Sequence, residues 1–209
     1  MEESAARQWI ADHIDVPRGT FERIEAFIAF LRAENEVQNL VSRATLDAVW
    51  QRHVLDSAQL LPFAPEAESW IDLGTGAGFP GLMVAALHPA QVTMVEERKK
   101  RVAFLDRARE ILHVERKSEV LGVKVERISP QPFDVISARA FAPLDKLLAL
   151  GERFATPATR WILPKGRNAK SELEAVQSSW QGVFRLEPSL TDADAQIIVA
   201  EQVRRRGKG

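Results

Sequence analysis

The pattern of apolar and polar residues changes character about a third of the way along the chain. Before that point, apolar residues recur every three or four positions, which is the spacing of an amphipathic helix. In the segment FERIEAFIAFLRAENEV the apolar stripe comprises Phe21, Ile24, Phe27, Ile28 and Leu31. The sequence therefore predicts a helix here, with Thr20 as its N-cap.

A second helix is predicted over residues 45–61, because prolines follow it at Pro62 and Pro65. Helical spacing places Trp50, His53 and Ser57 on one face of this helix, together with Leu46 and Leu60. A polar pair within an apolar stripe has two interpretations. The histidine is either buried with its hydrogen bonds satisfied, or it lies on a face turned towards a functional site.

After residue 69, short apolar runs alternate with helical segments. The runs are SWIDL, QVTMVE, SEVLG, FDVIS, RWILP, VFRLE and AQIIVAEQV. This alternation is typical of a mainly parallel sheet with helices on both faces. Only PSLTDAD separates the last two runs, so we expect them to form an antiparallel hairpin at the sheet edge. The predicted fold is α/β, with a helical cap over residues 1–62 and a seven-stranded Rossmann-like domain over residues 63–209.

Composition excludes several kinds of chemistry. The 209 residues include no cysteine, which removes disulfides, thiolate nucleophiles and cysteine-ligated metals. The four histidines lack the spacing of metal ligands, so no metal site is expected. No apolar run reaches the ~18–20 residues that cross a bilayer, and the N-terminus does not resemble a signal peptide. We therefore expect a cytoplasmic protein with no membrane partner. We also expect a monomer, although none of these features bears on the oligomeric state.

The net charge of −1 neither favours nor disfavours a nucleic-acid partner. The distribution is uneven, however, because basic residues outnumber acidic ones over residues 98–124. The C-terminal tail adds Arg204, Arg205, Arg206 and Lys208. Such patches attract phosphates, although solvated helix faces and a frayed tail would look the same.

The segment WIDLGTGAGFPGL carries the strongest chemical signal in the chain. Its glycines follow a predicted strand and precede a helix, which is the context of a ligand-binding turn. The part GAGFPG matches G-x-G-x-x-G, and Glu96 lies where a dinucleotide's ribose-binding acid belongs. In that register, however, the first glycine falls two residues too late after the strand, and the chain has no second mononucleotide-binding half.

A different register uses all of these residues. Asp72, Gly74, Gly76 and Gly78 form D-x-G-x-G-x-G, the first motif of class I S-adenosylmethionine-dependent methyltransferases. Glu96, at the end of the second strand, would accept hydrogen bonds from both ribose hydroxyls. The predicted cofactor is therefore S-adenosylmethionine, bound at the carboxyl ends of the strands. A nicotinamide-dependent reductase and a purely structural turn are the alternatives.

The longer pattern resembles the RsmG (GidB) family in order and spacing. The resemblance covers about residues 20–170 and rests on NLVSRATLDAVWQRHVLDS, DLGTGAGFPGL, VEERKKRVAFL, FDVISARAFAPLDKLL and ILPKG. Members methylate N7 of a guanine in the 530 loop of 16S rRNA. The resemblance thus implies this activity, with 16S rRNA or the small ribosomal subunit as partner. A methyltransferase acting on another RNA or a small molecule, or a non-catalytic cofactor-sensing RNA-binding protein, remains an alternative.

Position by position, the resemblance also implies the functional residues. The cofactor contacts fall on Gly74, Phe79, Val125, Glu126 and Arg139, in addition to the glycine motif and Glu96. Arg139 and Lys165 lie at strand ends and are expected to act in catalysis as donors to guanine O6 or phosphate. The expected substrate contacts are Asn39, Arg52, His53, Asp56, Ser57 and Phe141, of which Phe141 could stack on a flipped-out base.

Two features that the sequence lacks agree with guanine N7 as the target atom. Guanine N7 carries an available lone pair at neutral pH, so its methylation needs positioning and no general base. Cytosine-C5 methylation requires a cysteine, which is absent. The turn SARAFAP also differs from the Asn/Asp-Pro-Pro-aromatic turn that acts on exocyclic amines.

Overall fold

Each of the seven predicted apolar runs forms a strand of a single sheet. The computed structural model describes residues 2–207. The strands are β1 (Ser69–Leu73), β2 (Gln91–Val95), β3 (Ser118–Leu121), β4 (Val135–Ser137), β5 (Arg160–Lys165), β6 (Trp180–Pro188) and β7 (Gln196–Arg205). Their order across the sheet is β3-β2-β1-β4-β5-β7-β6. The predicted seven-stranded, mainly parallel α/β sheet is therefore confirmed.

The helices lie before, between and beside these strands. The α-helices are α1 (Glu3–His13), α2 (Thr20–Asn35), α3 (Arg43–Leu46), α4 (Asp56–Ala58), α5 (Gly81–Leu87), α6 (Lys99–Leu112), α7 (Leu144–Gly151) and α8 (Ala169–Val176). A π-helix spans Trp50–Leu55, and 3-10 turns span Leu61–Phe63, Val125–Arg127 and Glu152–Phe154.

The strand order creates a crevice between β1 and β4. These strands are parallel neighbours, but the chain leaves β1 towards β2 and leaves β4 towards β5. Ligands of open α/β sheets bind where the connections diverge in this way. At the far edge β7 runs antiparallel to both β5 and β6, which confirms the predicted hairpin.

Along β1, β2, β4, β5 and β7, residues contribute to two hydrophobic cores on opposite faces of the sheet. In β1, Trp70 joins the core beneath the N-terminal helices, α5 and α6, whereas Ile71 and Leu73 join the core beneath α7 and α8. The N-terminal helices share the first core directly, since the ring of Phe27 lies 5.8 Å from that of Phe79. The boundary that we predicted at residue 62 stays a prediction.

Two predictions about the N-terminal helices need correction. Gly19, with φ of 76°, is the N-cap of α2. Thr20 is the first residue of the helix; it is buried, and its hydroxyl accepts a hydrogen bond from the Arg23 guanidinium. The predicted helix over residues 45–61 is interrupted after α3, and the π-helix then passes directly into α4, so residues 49–58 are continuously helical. The Glu3 carboxylate accepts the amides of Trp50 and Gln51, so a residue distant in sequence provides the cap where the helix restarts.

Candidate active site

Two cavities meet at the carboxyl ends of the strands. The smaller encloses about 360 Å³ beside β1, β2 and the Val125–Arg127 turn. The larger encloses about 970 Å³ between the π-helix, the end of β5 and the β6–β7 loop. Both are lined by Ala140, Phe141 and Ala142, in the turn after β4. One short segment therefore separates two compartments.

The glycine turn brings the backbone against this segment. Gly74 has φ of 69° and lines the smaller cavity. A Cβ atom at this position would lie 2.1 Å from Cδ2 of Phe141, so only glycine fits. Gly78 is equally restricted, by Leu82. Gly76 and Gly78 shape the turn but do not line either cavity.

Asp72 lies beneath the turn, not within a cavity. It is fully buried, and its carboxylate accepts hydrogen bonds from the Gly81 amide (3.0 Å) and the Ser137 hydroxyl (2.9 Å). Burial raises the pKa of this carboxyl group above its ordinary value. Asp72 therefore joins β1 to β4 and to the start of α5, and any effect on a ligand is exerted through the turn.

Glu96 presents its carboxylate to the smaller cavity. Its Oε1 accepts the Arg98 amide at 2.9 Å, and its Oε2 lies 3.6 Å from the Arg101 guanidinium. A carboxylate has about four acceptor positions, so further donors can be accepted. Val125, which is buried, and Glu126, which is exposed, line the same cavity. The structure thus brings together the residues expected around an adenosyl group.

Arg139 lines the larger cavity and is held by residues of the N-terminal helical cap. It donates to Asp56 Oδ2 at 3.1 Å, to His53 Nδ1 at 3.1 Å and to the Arg52 carbonyl at 3.3 Å. Its guanidinium lies 5.4 Å from the ring of Phe79. Arg139 does not line the smaller cavity, where a cofactor contact was expected.

Three other predicted contacts lie away from both cavities. The side chain of Phe79 is buried and stacks on His53, with ring centroids 4.8 Å apart. Ser57 is buried, and its hydroxyl donates to the His53 carbonyl. Asn39 is exposed, and its carbonyl accepts a hydrogen bond from Arg101. In contrast Arg52, His53, Asp56 and Phe141 do line the larger cavity.

Three ion pairs line the larger cavity. Their members are Arg52 with Asp192 (3.2 Å), Arg139 with Asp56 (3.1 Å) and Lys165 with Glu172 (2.9 Å). The sequence did not reveal Asp192 or Glu172, because each comes from a segment with no motif. Only the fold brings the β6–β7 loop and α8 to this cavity.

Several residues of the basic patches form contacts with other residues of this chain. Arg109 pairs with Asp106, and Lys117 donates to the His88 carbonyl. In the tail, Arg205 pairs with Glu152 and lies over Trp180. Lys208 lies outside the described residues. The exposed cations at the start of α6 are Arg98, Lys99 and Lys100.

Comparison with known proteins identifies the family. A family model described as rRNA small subunit methyltransferase G (GidB) matches residues 20–192. The chain belongs to this family. A relative of that name from Rhizorhabdus wittichii is 51% identical, over 100% of this chain and 97% of its own. Another, from Zymomonas mobilis, is 47% identical over 97% and 95% of the two chains. The family resemblance seen in the sequence is thereby confirmed.

Solved structures that are similar to this family member support the fold. One is an O-methyltransferase from Bacillus cereus in complex with SAH, with 16% identity, a TM-score of 0.60 and coverage of 94% and 97% of the two chains. Another is a mutant of MtNAS in complex with S-adenosylmethionine, with 16% identity, a TM-score of 0.59 and coverage of 96% and 77%. Family and fold together make this chain an S-adenosylmethionine-dependent rRNA methyltransferase and remove the reductase alternative.

Within residues 2–207 no three His, Cys, Asp or Glu side chains are grouped so that they could hold a metal ion. None of the helices in that range has both the length and the apolar character needed to cross a membrane.

Proposed function

We propose that this enzyme methylates N7 of a guanine in the 530 loop of 16S rRNA. The observation that carries the proposal is the pair of cavities that share the Ala140–Ala142 turn. The smaller cavity suits an adenosyl cofactor and the larger one suits a base extruded from RNA. A methyl group on the cofactor would reach the base at their common wall.

S-adenosylmethionine supplies an electrophilic methyl group, so the residues of this chain need only hold and orient the reactants. Glu96 would accept hydrogen bonds from ribose hydroxyls, because its carboxylate is buried yet open to the smaller cavity. Val125 and Glu126 would contact the adenine. The Gly74 backbone would approach the cofactor closely. Gly76 and Gly78 shape the turn, Asp72 supports it from beneath, and Phe79 packs against His53.

The larger cavity suits a reaction that requires no proton removal. Nδ1 of His53 is occupied by a donor, Arg139, and Nε2 lies 2.9 Å from the Thr45 hydroxyl. Burial, together with Arg139 and Arg52, lowers the pKa of His53 to about 3. A satisfied, neutral imidazole is a poor general base, and guanine N7 does not need one.

Substrate binding would use the cations and the aromatic ring at the common wall. Phe141 would stack on the base, and Lys165, with one ammonium proton free of the Ala142 carbonyl and Glu172, would donate to O6. Arg52 of the helical cap, and Arg139, which the cap residues His53 and Asp56 hold, would contact the RNA. We propose that the enzyme works as a monomer, with rRNA of the small subunit as its partner.

The test is methylation of small subunits that lack the modification. The enzyme is incubated with labelled S-adenosylmethionine and such subunits, and N7-methylguanine is mapped by aniline-induced cleavage. Label at one guanine of the 530 loop is the expected result. Label at another atom or in another RNA would show that the proposed target is wrong. If no label enters RNA while S-adenosylhomocysteine still binds, the non-catalytic alternative is favoured.

A further inference from the structure

The three ion pairs of the larger cavity differ in what they leave available to a ligand. Asp56 Oδ1 accepts from Thr191 (2.7 Å) and Gln59 (3.0 Å), and its Oδ2 accepts from Arg139. Asp192 Oδ1 accepts the Asp194 amide, and its Oδ2 pairs with Arg52. Each oxygen of these two carboxylates therefore already has a partner within the protein.

Glu172 is different. Its Oε2 accepts both the Leu144 amide and the Lys165 ammonium, at 2.9 Å each. Within residues 2–207, its Oε1 accepts no hydrogen bond from a side chain or backbone amide. Lys165 gives its second proton to the Ala142 carbonyl and retains a third. Both residues line the larger cavity, and the pair thus has one free acceptor beside one free donor.

We infer that Glu172 selects guanine by accepting a hydrogen bond from its N1–H group, beside the donation from Lys165 to O6. The inference rests on the guanine-N7 function proposed above. With N7 directed at the common wall, O6 and then N1–H follow around the purine ring. Adenine carries a donor and then an acceptor at these two positions. Both contacts would then become repulsive, which is an effective way to reject a wrong base.

The same contact should contribute to the rate. Methylation places a positive charge on the purine, which makes N1–H a stronger donor as the reaction proceeds. A hydrogen bond to a fixed carboxylate therefore strengthens towards the transition state. Loss of Glu172 should consequently lower kcat and not merely raise KM.

Glu172→Gln is the informative substitution because it preserves shape and reverses the hydrogen bonding. Leu144 and Lys165 are both donors, so the amide oxygen of glutamine must take the place of Oε2. The amide nitrogen then lies where Oε1 stood, and a donor faces the donor N1–H. The matched control is Glu174→Gln, an exposed residue on the same helix.

The test compares small subunits reconstituted with guanine or 2-aminopurine at the target position. 2-Aminopurine keeps N7 but lacks O6 and N1–H. We expect the wild-type enzyme and the control to prefer guanine in kcat/KM by about a hundredfold, and Glu172→Gln to lose at least about tenfold of that preference, mainly in kcat. The ratio of kcat/KM for the two substrates does not depend on the folded fraction of a variant.

The outcomes separate the two proposals. If wild-type enzyme methylates guanine N7 and Glu172→Gln retains the full preference, or loses both substrates equally, Glu172 does not read N1–H and this inference alone fails. If wild-type enzyme modifies another base or atom, the proposed function fails and the inference fails with it.

Discussion

Arg139 and His53 form a hydrogen bond in which the guanidinium donates to the imidazole Nδ1 over 3.1 Å. An arginine N–H group can only donate, so Nδ1 carries a lone pair and Nε2 carries the proton directed at Thr45. His53 is therefore neutral, buried and satisfied, and it also lines the larger cavity. The two interpretations of this histidine that the sequence left open are both correct in part.

A neutral His53 should contribute no ionisation to the pH dependence of methyl transfer. We expect no ionisation of this residue in kcat/KM between about pH 5 and 8, because its pKa is far below that range. A pH–rate profile on small subunits measures this. A loss of rate near the ordinary histidine pKa that disappears in His53→Gln would contradict the assignment.

The stability of the fold should nevertheless depend on His53. Burial, followed by the charges of Arg139 and Arg52, lowers its pKa from 6.5 to about 3. As the pH falls, the unfolded chain therefore takes up the proton first. The stabilisation is complete above 6.5 and is lost as the pH falls towards 3, with a limiting slope of about 1.4 kcal/mol per pH unit. Urea titrations at several pH values give the free energy of unfolding as a function of pH. This free energy should fall less steeply with decreasing pH for His53→Gln than for the wild-type protein, and equal pH dependence would refute this origin.

Gly74→Ala should damage the smaller cavity. A left-handed alanine costs about 1–2 kcal/mol, and its Cβ atom would also displace Phe141. We expect a lower melting temperature and at least about tenfold weaker binding of S-adenosylhomocysteine by calorimetry. Gly122→Ala is the control, because Gly122 also follows a strand but has room for a Cβ atom, 3.5 Å from Val102. Equal binding by both variants would show that the turn tolerates a side chain.

Glu96→Gln should weaken cofactor binding without unfolding the protein. The substitution keeps the size of the side chain but removes the charge and replaces one acceptor with a donor. Hydrogen bonds to charged groups contribute about 1.5–3 kcal/mol, which corresponds to at least about tenfold in the Kd for S-adenosylhomocysteine. Glu110→Gln, on the exposed side of α6, serves as the control. An unchanged Kd would remove Glu96 from the cofactor site.

Arg139→Ala should affect both activity and stability. Removal of the guanidinium leaves Asp56 and His53 without a shared partner, at a cost of about 1–3 kcal/mol. Activity on small subunits should fall by about a hundredfold or more, whereas S-adenosylhomocysteine binding should change less, since Arg139 does not line the smaller cavity. A selective loss of cofactor binding would instead support the role that the family resemblance implied.

Local signals in the sequence were sufficient for the sheet and the cofactor turn. Each strand is a short apolar run, and the period of two in β1 separates Trp70 from Ile71 and Leu73 without reference to any other element. The conformation of Gly74 is likewise a property of one backbone position. These features depend on neighbouring residues, which is why they could be predicted.

The break in the second helix could not be predicted in this way. Residues 45–61 have a helical pattern, but the amides of Trp50 and Gln51 are accepted by Glu3, which is about 47 residues away. The same holds for Ser57, whose hydroxyl donates to the His53 carbonyl, and for Phe79, whose ring stacks on His53; neither lines a cavity. Helical periodicity reports which face is buried, not what covers it.

By itself, the sequence determined the family, the order of the elements and the position of the glycine turn, because these follow from contiguous patterns. Only the tertiary structure decided that Arg139 is held by His53 and Asp56, and that Glu172 meets Lys165 with one oxygen free. Those contacts join segments from different parts of the chain. Their hydrogen-bonding depends on distances of a few ångströms, which no linear spacing encodes.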